Sequence, residues 1–135
     1  DIRLNSLKNL VDSFVIGERK FYHNGKKRAL NFDINKYPKF KDKIIYIVQD
    51  EEPQDLQKLD KNDDEETKSS KLIFNAHIRE NFQRNLISRG LTKANDDDLI
   101  MISDVDEIPK LKDLNVAKVK NKIVIFVQNI FYYKF

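Results

Sequence analysis

Apolar side chains recur at Leu4, Leu7, Val11 and Phe14, a helical spacing that leaves one apolar face on residues 2–13. The next stretch, Ser13 to Ile16, is short and rich in strand formers. It reads as a strand buried on both faces, ending at Gly17-Glu18. Residues 19–31 are polar and basic, with Asn24-Gly25 as a turn signal, because both residues tolerate positive φ. Ile44-Ile45-Tyr46-Ile47-Val48 predicts a second strand over Lys43 to Gln49. Phe74, Ile78, Phe82 and Leu86 repeat at i+4 and predict a helix from Lys71 to Arg89, capped by Ser69 or Ser70 and stopped by Gly90.

Beyond that helix, Asp98 to Ser103 holds the apolar run Leu99-Ile100-Met101-Ile102. It is short, follows a helix and ends in acids, so it reads as a central parallel strand. A short helix over Leu111 to Val119 and strands at Ile123 to Val127 and Ile130 to Tyr133 complete the pattern. Helices alternating with strands predict an α/β sandwich with a mostly parallel central sheet. Residues 50–70 interrupt it with nine acids and few apolar positions, and are expected to form a mobile acidic loop or a lid over an acceptor.

Composition narrows the class. The 135 residues suit one domain, and 40% hydrophobic content supplies a core. Lys and Arg number 25 against 22 Asp and Glu, a charge of +3 with the signs mixed, unlike the basic stripe of a nucleic-acid binder. There is no Cys, which excludes a disulfide scaffold and a thiolate metal site. No apolar run approaches the roughly 18 residues of a membrane span. The chain starts at Asp1 and stops at Phe135 inside an apolar run, so a fragment of a longer enzyme is expected.

The candidate chemistry lies in Ser103-Asp104-Val105-Asp106-Glu107-Ile108-Pro109. In open α/β sheets ligands bind beyond the carboxyl ends of the strands. Two carboxylates one residue apart, on chain leaving a strand, can present oxygens to one hard cation such as Mg²⁺ or Mn²⁺. Such an ion would offset charge on a departing diphosphate. An Asp-x-Asp alone is equally a solvated turn in a chain with 35% charged residues.

The surrounding sequence resembles glycosyltransferase family seventeen, the β-1,4-mannosyl-glycoprotein 4-β-N-acetylglucosaminyltransferases. The resemblance rests on Leu10-Val11-Asp12-Ser13-Phe14-Val15-Ile16-Gly17-Glu18, on Asn24-Gly25 through Phe32, and on Lys43 to Val48. It continues through Glu80, Arg84 and Gly90-Leu91, and is most specific over Asp97 to Pro109. It implies a GT-A type nucleotide-binding fold, a UDP-sugar donor with N-acetylglucosamine as the sugar, a glycan acceptor, a divalent metal and inversion at the anomeric carbon. The animal members carry an anchor and work in the Golgi; for a microbial or viral source the cytoplasm is the expectation.

On that resemblance Asp106 is expected to ligate the metal directly, and Asp104 to touch the ribose or the metal through water. Glu18 can accept hydrogen bonds from a ribose or stand as a strand-end acid. Arg84 can approach the diphosphate or pair with Glu80 along the helix, with Arg79 a weaker alternative. Glu107 can orient cations or form a structural pair. Lys26, Lys27 and Arg28 can hold phosphate or form a solvated basic loop. His77 reads as structural, and the aromatic run from Phe131 to Phe135 as packing. The catalytic base is expected outside this stretch. The rival functions are a nucleotide- or metal-binding module without catalysis and another metal-dependent nucleotidyl or phosphoryl transferase.

Overall fold

The computed structural model describes residues 2–120 and 123–127. They fall into two compact units, one made of residues 1–12 and 99–135, the other of residues 13–98.

The second unit holds the sheet. Strands β1 (Phe14–Arg19) and β2 (Ile44–Gln49) pair in parallel, with Phe14 opposite Ile44 and Arg19 opposite Gln49. The two predicted strands are therefore present; β1 runs on past Gly17-Glu18 to Arg19, and β2 ends at Gln49 as expected. The connection over residues 20–43 carries no α-helix; it turns at Gly25 and makes two short 3₁₀ turns, Ile34–Lys36 and Pro38–Phe40. Asp33 caps the first by accepting from the Asn35 amide. Side chains alternate across the sheet. On one face Phe14 meets Phe40 edge-on, and Phe32 stacks on Tyr37 and leans on Tyr46.

The other face is covered by the C-terminal part of α2 (Glu65–Leu86) and a 3₁₀ turn, Ile87–Gly90. A Cβ on Gly90 would lie 2.4 Å from Val15 Cγ1 and 2.9 Å from Ile47 Cδ1. The α-helix ends at Leu86, short of the expected Arg89; Gly90 closes the 3₁₀ turn that follows and lets backbone sit directly on the sheet.

Two features of α2 differ from the sequence pattern. It begins at Glu65, six residues earlier than predicted, because Asp64 caps it by accepting from the Thr67 amide, and Glu65 and Glu66 lie in the first turn, favourable to the helix dipole. The buried stripe is Asn75, Arg79 and Leu86, not Phe74, Ile78, Phe82 and Leu86; Phe74 is exposed and only Leu86 of the predicted set is fully buried. Polar tethers cause the rotation. The Asn75 amide bonds both the N–H and the carbonyl of Gln57 at 2.8 Å, and Arg79 holds Glu52 at 2.8 Å and the His23 carbonyl at 3.0 Å. Lys71 grips Asp63 at 2.7 Å. The acidic segment is thereby anchored to α2 at three points, and its last residues belong to the helix. His77 is exposed.

The first unit opens with α1 (Ile2–Leu7), shorter than predicted, which buries Leu4 and Leu7. The expected central strand at Leu99–Ile102 is not formed: the segment is irregular, with Leu99, Ile100 and Ile102 exposed. Strand propensity is realised only against a cross-strand neighbour, and among the described residues this run has none. Ile123–Val127 is likewise exposed and irregular. The helix expected over Leu111 to Val119 reduces to two 3₁₀ turns, Leu111–Asp113 and Val116–Lys118. The strand expected at Ile130 to Tyr133 and the aromatic run around it lie outside the described residues. The described residues are α/β, with one parallel pair of strands, a smaller sheet than the pattern predicts.

Candidate functional site

Without a strand at Leu99–Ile102, the acidic motif is positioned by something else. Arg3, on α1, donates from Nη2 to Ser103 Oγ at 2.6 Å and from Nη1 to the carbonyls of Asp104, at 3.2 Å, and Glu107. The turn also closes on itself: the Asp104 amide donates to Glu107 Oε2 at 3.0 Å, and the Glu107 amide to the Asp104 carbonyl at 3.2 Å. Arg3 thus binds backbone oxygens, and Glu107 is spent on the turn. The side chains of Asp104 and Asp106 stay at the surface, with Val105 82% exposed between them. Burial is the main influence on Arg3 and lowers its guanidinium below the ordinary value, with Glu107 opposing.

Among the described residues no three His, Asp or Glu side chains cluster as a protein-only metal cage. Two adjacent carboxylates on a fixed turn are the donor set of a site completed by phosphate and water, as for Mg²⁺-type ions held by one or two carboxylates plus substrate. Asp104 and Asp106 supply two carboxylates, the number such an ion takes from protein in that mode.

In the second unit Glu18 ends the outer face of β1. Its Oε1 accepts from Arg28 Nη2 at 3.0 Å and the Asn31 amide at 2.6 Å; its Oε2 accepts from the Phe32 amide at 3.0 Å and Tyr46 Oη at 2.8 Å. A carboxylate offers about four acceptor positions, and all four are filled from within the chain. Glu18 therefore fastens the residue 28–32 segment to the sheet, and its oxygens are not presented to a ribose. Burial pushes its carboxyl up, but the Asn31 and Phe32 amides, the Tyr46 hydroxyl and Arg28 together outweigh that and hold it below the usual glutamate value. Tyr46, half-buried beside this carboxylate, is pushed up to about 12 by burial and by Glu18 and remains a neutral donor.

Arg84 pairs with Glu80 at 3.2 Å along α2, both side chains nearly half exposed, which is the helical-pair arrangement. Arg79, ranked behind it in the sequence, is the buried one. Arg19 and Gln49, register partners at the ends of β1 and β2, are also buried, and Arg19 Nη1 and Gln49 Oε1 have no hydrogen-bond partner. No spacing in the sequence distinguished Arg3 or Arg19. Arg3 interrupts an apolar helix start, and Arg19 stands one residue past the motif ending in Glu18; those were the only signals.

A sequence profile of glycosyltransferase family 17 matches residues 1–133. The chain belongs to glycosyltransferase family 17. It is a glycosyltransferase, and a sugar donor and an acceptor are its partners. No curated protein and no solved structure matches it. In this family 17 chain no helix among the described residues is long and apolar enough to cross a membrane.

Proposed function

We propose that this family 17 enzyme transfers a sugar, with N-acetylglucosamine as the candidate, from a UDP-sugar to a hydroxyl of a glycan or glycoconjugate, with inversion, on a GT-A type nucleotide-binding domain. The observation that supports the reading is the Arg3-held turn over residues 103–107, on which Asp104 and Asp106 are both exposed. Asp106 would hold a divalent ion directly and Asp104 would assist or meet the ribose. Such an ion, Mn²⁺ or Mg²⁺, supplies charge stabilisation for the departing diphosphate when bound.

The chain's own groups prepare that site. Arg3 neutralises the carbonyl dipoles of the turn, so the backbone does not collapse toward the cation. Glu107 ties the Asp104 amide, which restrains the backbone that carries the two acids. Fixed oxygens reorganise little during reaction, and preorganised electrostatics of this kind are a main source of rate enhancement. The acceptor hydroxyl must lose a proton as it attacks, and a base outside the residues named here takes it.

Mass spectrometry of products from UDP-N-acetylglucosamine and a panel of glycan acceptors tests the reading. A new glycosidic bond with UDP release is expected. A new phosphodiester, or nucleotide binding without turnover under Mn²⁺, would contradict it.

A further inference from the structure

Immediately past the C-terminal ends of β1 and β2 lies a pocket of about 340 Å³, lined by Lys20, Phe21, Lys27, Arg28 and Asp50. Its walls are built by the strand ends themselves. The Lys20 amide continues the ladder to the Gln49 carbonyl at 2.9 Å, the Arg28 amide donates to the Lys20 carbonyl at 2.8 Å, and Phe21 bridges Lys27. Three cations and one carboxylate line it, and Glu18 already pairs with Arg28, which leaves Lys20 and Lys27 against Asp50. The Lys20 Nζ–Asp50 contact is loose, 3.9 Å between half-exposed groups, so it neutralises little. Arg28 is held in place by Glu18 at 3.0 Å and by the Tyr22 ring, 5.7 Å from its guanidinium carbon.

A second feature points the same way. Arg19, the residue before Lys20, is 5% exposed, and its Nη1 has no hydrogen-bond partner. Arg28, Arg79 and Arg84 each have a carboxylate within 3.2 Å; among the described residues no such pair involves Arg19. Burial first, then the neighbouring Arg28, press its guanidinium below the ordinary value, with Glu80 and Glu52 opposing. A buried cation that these carboxylates offset only in part adds positive potential at the strand ends, which an anion relieves.

We propose that this pocket is a metal-independent anion subsite for a diphosphate group, with Lys20 and Lys27 as its charge contacts and Arg28 as a fixed wall. The inference rests on the reading that the enzyme uses a nucleotide donor, but not on the acidic turn. The same chemistry is offered by a nucleoside diphosphate or by an anionic sugar, and the pocket's three cations favour the more highly charged diphosphate.

Titration calorimetry in metal-free, low-salt buffer with UDP, inorganic pyrophosphate, uridine and mannose 6-phosphate tests it. UDP and pyrophosphate are expected to bind, and uridine and the sugar monophosphate to bind more weakly. Lys20→Gln and Lys27→Gln, both at exposed side chains, are expected to cut pyrophosphate affinity roughly three- to tenfold each, and Asp50→Asn to raise it. Thermal melts that match the parent chain show that these variants remain folded. No pyrophosphate binding, affinities unmoved by the Lys variants, or tighter binding of mannose 6-phosphate would overturn the proposal. Pyrophosphate binding without EDTA sensitivity, alongside a failed product assay with UDP-N-acetylglucosamine, would overturn the proposed donor and leave the subsite standing.

Discussion

At the scale of single residues, three positions act through their immediate neighbours. Glu18 gathers two amides, a phenol and a guanidinium on one carboxylate that is only 12% exposed. Glu18→Gln removes the charge from a buried hub and is expected to cost about 1–3 kcal/mol at pH 7. Because the folded value lies below the ordinary 4.5, the carboxylate's stabilisation is fully present above that pH and is lost as pH falls through the lowered folded value. Urea midpoints at pH 7 and pH 3 should therefore show a wide gap between parent and variant that narrows in acid; an equal gap at both would refute this. Gly25 has φ +81°, and a Cβ there would sit 2.6 Å from Arg79 Nη2. Arg3 makes the third case. Arg3→Met should keep α1 but loosen the turn over residues 103–107, lowering turnover about tenfold or more, since misplacement by about 1 Å can cost 10²-fold. If turnover in the Met variant equals the parent's, the turn does not depend on Arg3.

At the scale of elements, the Gly90 contact gives the cleanest test. Gly90→Ala places a methyl against Val15 and Ile47 in the face packed on the sheet, and such overpacking costs about 1–3 kcal/mol. A lowered Tm is expected; an unchanged Tm would mean the 3₁₀ turn can lift off freely. The same face shows why some elements were legible in the sequence and others were not. β1 opens on Phe14-Val15-Ile16 and β2 runs from Ile44 to Val48, stretches of strand formers that suit a parallel pair covered on both faces. The α2 stripe was misplaced by one position because a hydrophobic period ignores Asn75 and Arg79, whose burial is secured by partners 18 and 27 residues away. Its start was misplaced because Asp63 to Glu66 read as acidic loop, although Asp64 followed by Thr67 is a capping arrangement.

At the scale of the whole molecule, the family was legible where the architecture was only partly so. Ser103 to Pro109 and the run ending in Glu18 carry the family pattern whatever the local backbone does. The predicted mechanism for presenting Asp104 and Asp106 relied on a strand at Leu99–Ile102; the structure substitutes an arginine from the other end of the unit's chain, a contact spanning about 100 residues of sequence that no local pattern encodes. The Asp-Val-Asp pair thus keeps its candidate role on a different support. The most direct test is the Mn²⁺ dependence of UDP release from UDP-N-acetylglucosamine in the presence of acceptor, measured for the parent protein and for Asp106→Ala. The account predicts release that EDTA abolishes and Mn²⁺ restores in the parent, and a loss of about 10²-fold or more in Asp106→Ala. Release by Asp106→Ala at the parent's rate, with the same metal dependence, would contradict it.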